Sequence, residues 1–319
     1  MSRILITGGS GFIGLNLMTS LLNNGHQVLN IDLVPSPIHI LNNHTKICDI
    51  RQLHEIEPII MEYNPEYIVH LAARTDLDGK NLSDYSSNTL GVQNIIEIVK
   101  KLTSLKKILI TSSMLVCKAG YRPLSQDDYC PTTLYGVSKV ETERITKEAE
   151  LNCSWALLRP TSIWGPWFKV PYRNFFDMVR QKKYFHIGHK SCTKTYGYIG
   201  NAIYQIECIL FSDTSDNPNH VYYLGDYPTN IEEWANEIAN EEGYKIIRLP
   251  YFILKMAALF GDFLKSLKIR FPMTSFRLKN MTTDNILSLD NTFRYAPNLP
   301  YTRIEGIKET ISWLKSQDK

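Results

Sequence analysis

Tyr135-Gly136-Val137-Ser138-Lys139 sets a phenol and an ammonium four residues apart in a segment of helical pattern. Positions i and i+4 share one face of a helix, so the two groups lie side by side. A fixed positive charge near the ring favours phenolate over phenol and lowers the tyrosine pKa. A phenol poised nearer neutrality can take a proton from an alcohol or return one to a ketone. By itself Tyr-x-x-x-Lys is a common spacing. Thr111-Ser112-Ser113 gives it a context, because these hydroxyls close an apolar strand pattern over 107–111. In an open α/β sheet, ligands bind at the carboxyl edge. A hydroxyl there can hydrogen-bond the oxygen that the tyrosine serves; the plain alternative is a strand-ending hydroxyl cluster.

A second constellation opens the chain. An apolar run over 3–7 leads into Thr7-Gly8-Gly9-Ser10-Gly11-Phe12-Ile13-Gly14 and then into helical periodicity. A strand, a glycine-rich turn and a helix start in that order are what a dinucleotide site needs. Side chains at Gly8 or Gly11 would hold the backbone away from a pyrophosphate, and the helix N-terminus presents N–H groups to it. Gly14 lets helix and strand pack closely. Asp32 ends the next strand pattern, where a carboxylate accepts hydrogen bonds from an adenosine ribose diol and repels a 2′-phosphate. Leu33 follows it, so no adjacent arginine welcomes that phosphate. The reading is NAD rather than NADP. Asp49-Ile50 ends the third strand pattern; Asp49 takes the adenine amino group or merely caps the strand.

The elements that must position these groups follow from periodicity. Strands are expected over 3–7, 27–32, 46–48, 67–71, 107–111 and 154–158, and helices over 12–22, 53–63, 84–102 and 133–151. Strands alternating with helices of this length indicate βαβ units and a parallel, doubly wound sheet. After about Pro160 the alternation stops and prolines punctuate irregular segments. The expected organisation is a Rossmann-like α/β domain over 1–165. A smaller mixed α/β lobe over 166–319 mainly binds substrate, with some segments returning to the first domain.

Composition narrows the function classes. The 319 residues carry 35 Lys and Arg against 32 Asp and Glu, for a formal charge of +3 without basic runs, so nucleic-acid binding has no electrostatic support. The six cysteines form no Cys-x-x-Cys pair and no Cys/His cluster has zinc-ligand spacing, which fits thiols in a reducing cytoplasm and no metal site. Residues 251–269 are the most apolar stretch. Lys255, Asp262 and Lys265 interrupt it, so it does not span a membrane. It is expected to pack against its own core or a partner subunit; the other reading is a helix on a membrane surface.

Taken together, these residues resemble the extended short-chain dehydrogenase/reductase superfamily, within its NAD-dependent sugar-nucleotide epimerase/dehydratase group. The resemblance rests on the glycine motif, Asp32, Asp49-Ile50, His70-Leu71-Ala72-Ala73, Asn88-x-x-Gly91, Thr111-Ser112-Ser113, Tyr135-x-x-x-Lys139 and Arg159-Pro160-x-x-Ile163-Trp164-Gly165-Pro166. Asn298-Leu299-Pro300, Glu305-Gly306-Ile307 and Trp313-Leu314 resemble the family's C-terminal end. It implies that Gly8, Gly11, Phe12, Ile13 and Gly14 hold pyrophosphate, that Asp32 holds ribose, and that Asp49 and Ile50 border adenine. Leu71, Ala72 and Ala73 line the cofactor trough. Tyr135 is the acid/base, Lys139 binds the nicotinamide ribose and tunes Tyr135, and Ser113 bonds the reacting oxygen. Asn88 braces sheet and helix. A homodimer is implied as well.

Departures refine this. The family's dehydratases carry Thr-Asp-Glu after the strand; Ser113-Met114-Leu115 has no carboxylate, which sets 4,6-dehydration aside. Cys117 and Trp164 replace frequent tyrosines, and Gly200 and Asn201 replace acidic residues. Arg173, Lys194 and Arg277 are the candidate partners for substrate phosphates. The expected activity is epimerisation of a nucleoside-diphosphate sugar, at C4, through a transient keto sugar. An NAD(P)-dependent keto-sugar-nucleotide reductase or dehydrogenase uses the same residues, and a non-catalytic NAD-binding protein is the remaining alternative.

Overall fold

The computed structural model describes residues 1–170, 172–214, 220–267, 269 and 274–318, and the side chains of all of these except 265, 266, 276, 277 and 280. The first half alternates as its pattern dictates: β1 (Arg3–Thr7), α1 (Phe12–Asn23), β2 (Gln27–Asp32), β3 (Thr45–Ile47), α2 (Leu53–Tyr63), β4 (Tyr67–His70), α3 (Ser86–Val99), β5 (Lys107–Thr111), α4 (Leu134–Lys147) and β6 (Ser154–Pro160). Ile4, Leu5 and Ile6 of β1 have no exposed surface, because a parallel sheet flanked by helices buries both faces of its strands.

The seven-stranded sheet runs Val221–Leu224, β6, β5, β4, β1, β2, β3, with every neighbour parallel. The chain winds one way from β1 to β3 and the other way from β4 to β6. The crevice between β1 and β4, at their carboxyl ends, is therefore the switch point where a ligand can enter. Thr7 and His70 face each other there. This is the doubly wound sheet expected from the sequence.

Several boundaries differ from expectation, most by one to four residues. The helix expected from 84 begins at Ser86, because Asn81 and Asp84 form a capping box on a preceding 3₁₀ turn, Leu82–Tyr85. Helix α4 starts at Leu134, since the Thr133 hydroxyl caps it by accepting from the Gly136 N–H at 3.0 Å. It stops at Lys147 rather than 151.

The second half both returns to the sheet and builds beside it. Val221–Leu224 pairs with β6, and helix Ile199–Phe211 packs on α1. Short strands Ser162–Trp164 and Tyr196–Tyr198 pair with each other. Trp164 anchors them, with its ring 5.0 Å from Tyr198 and 5.4 Å from both Phe176 and Trp234. Helix Tyr251–Ser266 buries Leu254 and Ala258 in a small cluster with Ile187 and Leu278.

Candidate active site

The glycine turn crosses the end of β4 at van der Waals limits. A Cβ on Gly8, whose φ is +78°, would lie 2.6 Å from the Ala72 nitrogen. A Cβ on Gly14 would lie 2.4 Å from the Gly8 carbonyl oxygen. Gly8 is thus demanded by the protein's own backbone, beyond any ligand. Above Gly11 the nearest atom is the Gly8 oxygen at 3.2 Å, so room for a ligand lies there. Sequence reasoning missed Asn30 and Gly9. The buried Asn30 side chain accepts from the Gly9 N–H at 2.7 Å and would collide with any Cβ on Gly9.

Helix α1 has Gly11 at its N-cap, so it starts without a side-chain cap and without an acid in its first turn. Its amides, including those of Phe12 and Ile13, are therefore available to an anion. Asp32 stands beside the turn and accepts from the Ser10 N–H at 2.9 Å. Leu71, Ala72 and Ala73 are half-buried along the trough. Asp49 is gripped by Arg51, with Nε 2.9 Å from Oδ2, and this guanidinium holds its carboxyl below the usual range. Ile50 is buried beneath Gly91 of α3 instead of lining open space.

At the reacting end, Tyr135 is buried with Ser113 beside it, the neighbour that favours its phenolate. The Ser113 hydroxyl also accepts from the Leu115 N–H at 3.1 Å. Lys139 is buried beside them and donates to the Thr111 carbonyl at 2.7 Å. Burial pulls its pKa down to about 7, against the pull of Glu143. From the sequence, Lys139 was expected to lower the Tyr135 pKa. In this structure burial outweighs every other influence and pushes Tyr135 up, with Ser113 the group that opposes it. His70 bonds Thr7 through Nδ1 at 2.7 Å, and burial, assisted by Lys139, drives its pKa to about 3. His70 Nε2 and Thr111 Oγ1 are buried without protein partners.

Behind α4 lies a network that the sequence did not announce. Glu143, fully buried, accepts from both Arg159 Nε and Nη2 at 2.7 Å, from Tyr129 at 2.8 Å and from Ser112 at 2.5 Å. Asn88 braces the site as expected, donating to the Arg74 carbonyl and to Ser138 at 2.9 Å. Tyr172 stands near Tyr135 and Ser162 and was also missed.

The phosphate candidates are not gathered. Arg173 pairs with Asp177 at 3.2 Å and lies 5.9 Å from the Trp313 ring centre. Lys194 sits in a short strand paired with Thr229, where burial lowers its pKa. The Arg277 side chain is outside the described residues. The acid missing at 201 reappears as Asp226, which accepts from Asn201 at 3.0 Å and is pushed by burial to about 7. Asp226 borders a pocket of about 430 Å³ with Trp164, Tyr196, Trp234 and Arg303, which Ser113, Tyr135 and Lys139 do not line.

An open turn before an uncapped helix, a ribose-side carboxylate and orphaned polar atoms near Lys139 fit a dinucleotide. The model of the NAD-dependent epimerase/dehydratase family matches residues 4–225. The chain belongs to that family of NAD-dependent enzymes, and its cofactor is NAD. It is 28% identical over 270 residues to a 3-beta-hydroxysteroid dehydrogenase of Mycolicibacterium neoaurum, covering 77% of this chain and 72% of the relative. It is 23% identical to an N-acetyl-alpha-D-glucosaminyl-diphospho-ditrans,octacis-undecaprenol 4-epimerase of Escherichia coli O157:H7, covering 98% and 95%. Its fold matches the UDP-glucuronic acid 4-epimerase of Bacillus cereus in complex with NAD at a TM-score of 0.75, with 18% identity over 99% of this chain and all of the other. Among the described residues no helix is long and apolar enough to cross a membrane.

Proposed function

We propose that the chain is an epimerase of a diphosphate-linked sugar, a nucleoside-diphosphate sugar in the first instance, and that it inverts the C4 hydroxyl. The observation that carries this reading is the grouping of Ser113, buried Tyr135 and buried Lys139, which donates to the Thr111 carbonyl, at the carboxyl edge of the sheet. NAD supplies the hydride acceptor and donor. Tyr135 takes the hydroxyl proton as the alcohol is oxidised and returns it when the ketone is reduced on its other face. Ser113 holds the reacting oxygen, and Lys139 binds the nicotinamide ribose. Gly8, Gly11, Phe12, Ile13 and Gly14 hold the pyrophosphate, Asp32 the adenosine ribose, and Asp49 the adenine edge. Met114 and Leu115 offer no carboxylate to expel water, which disfavours dehydration. Lys194 and Arg277 remain the proposed phosphate partners, and a cytoplasmic homodimer is the proposed assembly.

A second reading, an NAD(P)-dependent dehydrogenase of an uncharged alcohol, draws on two observations. The Nε of Arg173 is already paired with Asp177, and the Mycolicibacterium relative is a steroid dehydrogenase. The purified protein should show the absorbance of retained NAD and interconvert C4 epimers of UDP-sugars without net NADH release. Stoichiometric NADH release from a sterol or simple secondary alcohol, with no epimer formed, would establish the second reading instead.

A further inference from the structure

We propose that Cys117 and Cys130 form a dithiol modification site that exchanges with a low-molecular-weight disulfide such as oxidised glutathione, and that the bond it makes grips the first turn of α4. The two cysteines pair as an isolated parallel β-bridge. The Cys130 N–H donates to the Val116 carbonyl at 3.0 Å, and the Lys118 N–H donates to the Cys130 carbonyl at 2.9 Å. These two bonds bracket Cys117. Strands paired in this way lie about 4.8 Å apart, inside the roughly 4.4–6.8 Å that separates the Cα atoms of a disulfide. Residues opposite each other in a ladder project to the same face. The Cys117 thiol already reaches across, donating to the Asp128 carbonyl at 3.4 Å, in the arm that carries Cys130. Both thiols are free.

Access sets the order of the exchange. Cys130 is half-buried and Cys117 is buried. Cys130, as thiolate, attacks one sulfur of the oxidant. The S–S bond of the oxidant breaks, and one thiol leaves carrying the proton that Cys130 gave up. Cys117 then gives up its own proton and attacks the Cys130 Sγ, and the second thiol leaves with that proton. Two protein thiols are oxidised and one oxidant disulfide is reduced to two thiols. Burial pushes the Cys117 thiol up, while the Arg159 charge favours its thiolate. Among the described residues no other two cysteines pair across strands. Burial pushes Cys48 and Cys153 up to about 11, which keeps them as unreactive thiols.

The pair stands at the neck of the loop between Ser113 and Tyr135. Inside the loop, the arm of Cys130 is pinned behind the reacting centre. The Tyr129 hydroxyl donates to Glu143 at 2.8 Å, and Arg159 Nη2 donates to the Gln126 carbonyl at 2.7 Å. Outside the loop, the neck abuts α4. A Cβ on Gly136 would collide with the Leu115 carbonyl oxygen and lie 3.2 Å from the Pro131 Cβ. Leu115 stands two residues before Cys117, and Pro131 directly follows Cys130. A bond between the cysteines therefore joins both sides of the seat in which Gly136 packs, next to Tyr135. Closing a loop covalently removes its open arrangements. Oxidation thus holds the first turn of α4 more firmly, whichever substrate is turned over.

The test incubates the intact protein with excess oxidised glutathione and counts free thiols after denaturation. The count should fall from six to four and return to six with dithiothreitol. Lys118 lies between the pair, so trypsin should release the Cys117 peptide joined to the Cys130 peptide, and reduction should part them. Amide exchange over residues 134–139 should slow on the order of tenfold in the oxidised protein. Cys130→Ser should show neither the loss of thiols nor the slower exchange. Should that variant fail to fold, the wild-type thiol count and peptide map decide the matter alone. A count that stays at six, a glutathionyl group left on Cys130, or a bond to another cysteine overturns the site. Unchanged exchange over 134–139 once the Cys117–Cys130 bond has formed overturns the grip on α4. No substrate enters these measurements, so failure of the site and failure of the epimerase reading remain distinct.

Discussion

Helix α4 and helix Tyr251–Ser266 break the usual partition of side chains in opposite directions. The first buries a phenol, an ammonium and a carboxylate, at Tyr135, Lys139 and Glu143. The second leaves phenylalanine, isoleucine, methionine and leucine in solvent. Burying a charge is costly unless it is paired, and α4 distributes that cost unevenly. Glu143 receives four donors, whereas Lys139 has one carbonyl and a pKa brought down to about 7. The contrast lies on one helix: the fully satisfied group holds α4 in place, and the under-satisfied group is the one proposed to bind the nicotinamide ribose.

Changes on α4 should therefore be large, and changes at the exposed positions of the second helix small. Tyr135→Phe should cut turnover on the order of 10²–10⁴-fold, the usual contribution of a general acid–base, while NAD affinity stays near wild type by fluorescence titration. Retained turnover in Tyr135→Phe would remove the tyrosine from the mechanism. Glu143→Ala should destabilise the fold by about 3–5 kcal/mol in urea unfolding, because it strands the Arg159 charge in the interior.

Lys139→Met tests the under-satisfied group through pH. The folded-state pKa, about 7, lies below the ordinary 10.5. Between these values the unfolded chain binds a proton that the folded apoprotein does not, so stability rises with pH across about 7 to 10.5 and the penalty is complete below 7. Lys139→Met should flatten that slope and stabilise the apoprotein near pH 7 by a few kcal/mol, even as turnover falls. A wild-type stability that is level over this window would mean that Lys139 stays charged in the fold. At the small end, Met256→Gln should shift stability by no more than about 0.5 kcal/mol, as expected of a surface position; a greater loss in urea would show that this position is packed.

The first half of the fold was legible because each element announces itself locally. Glycines punctuate β1 and α1, apolar runs mark the buried strands, and Tyr135 and Lys139 sit one helical turn apart. The glycine turn, Asp32, Ser113, Tyr135 and Lys139 converge on the switch-point edge that periodicity placed them on. What remained hidden depends on contacts between distant segments. Glu143 and Arg159 meet only because α4 lies across β6, and Tyr172 reaches Tyr135 from a loop with no periodic signal. Arg173 is different: Asp177 stands four residues away on the same helix, a spacing from which their ion pair could have been read.

The edge strand Val221–Leu224 has a consequence for how the chain is made. It covers the flank of β6 but leaves the ribosome some sixty residues later, counted from the pairing of Val221 with Leu157. During that interval the nascent sheet presents a row of unpaired N–H and C=O groups, the kind of template that recruits other chains. Expression of residues 1–165 alone would make the interval permanent. Such a fragment, although it holds the whole glycine turn and the Tyr–Lys pair, is set up to aggregate rather than to bind dinucleotide.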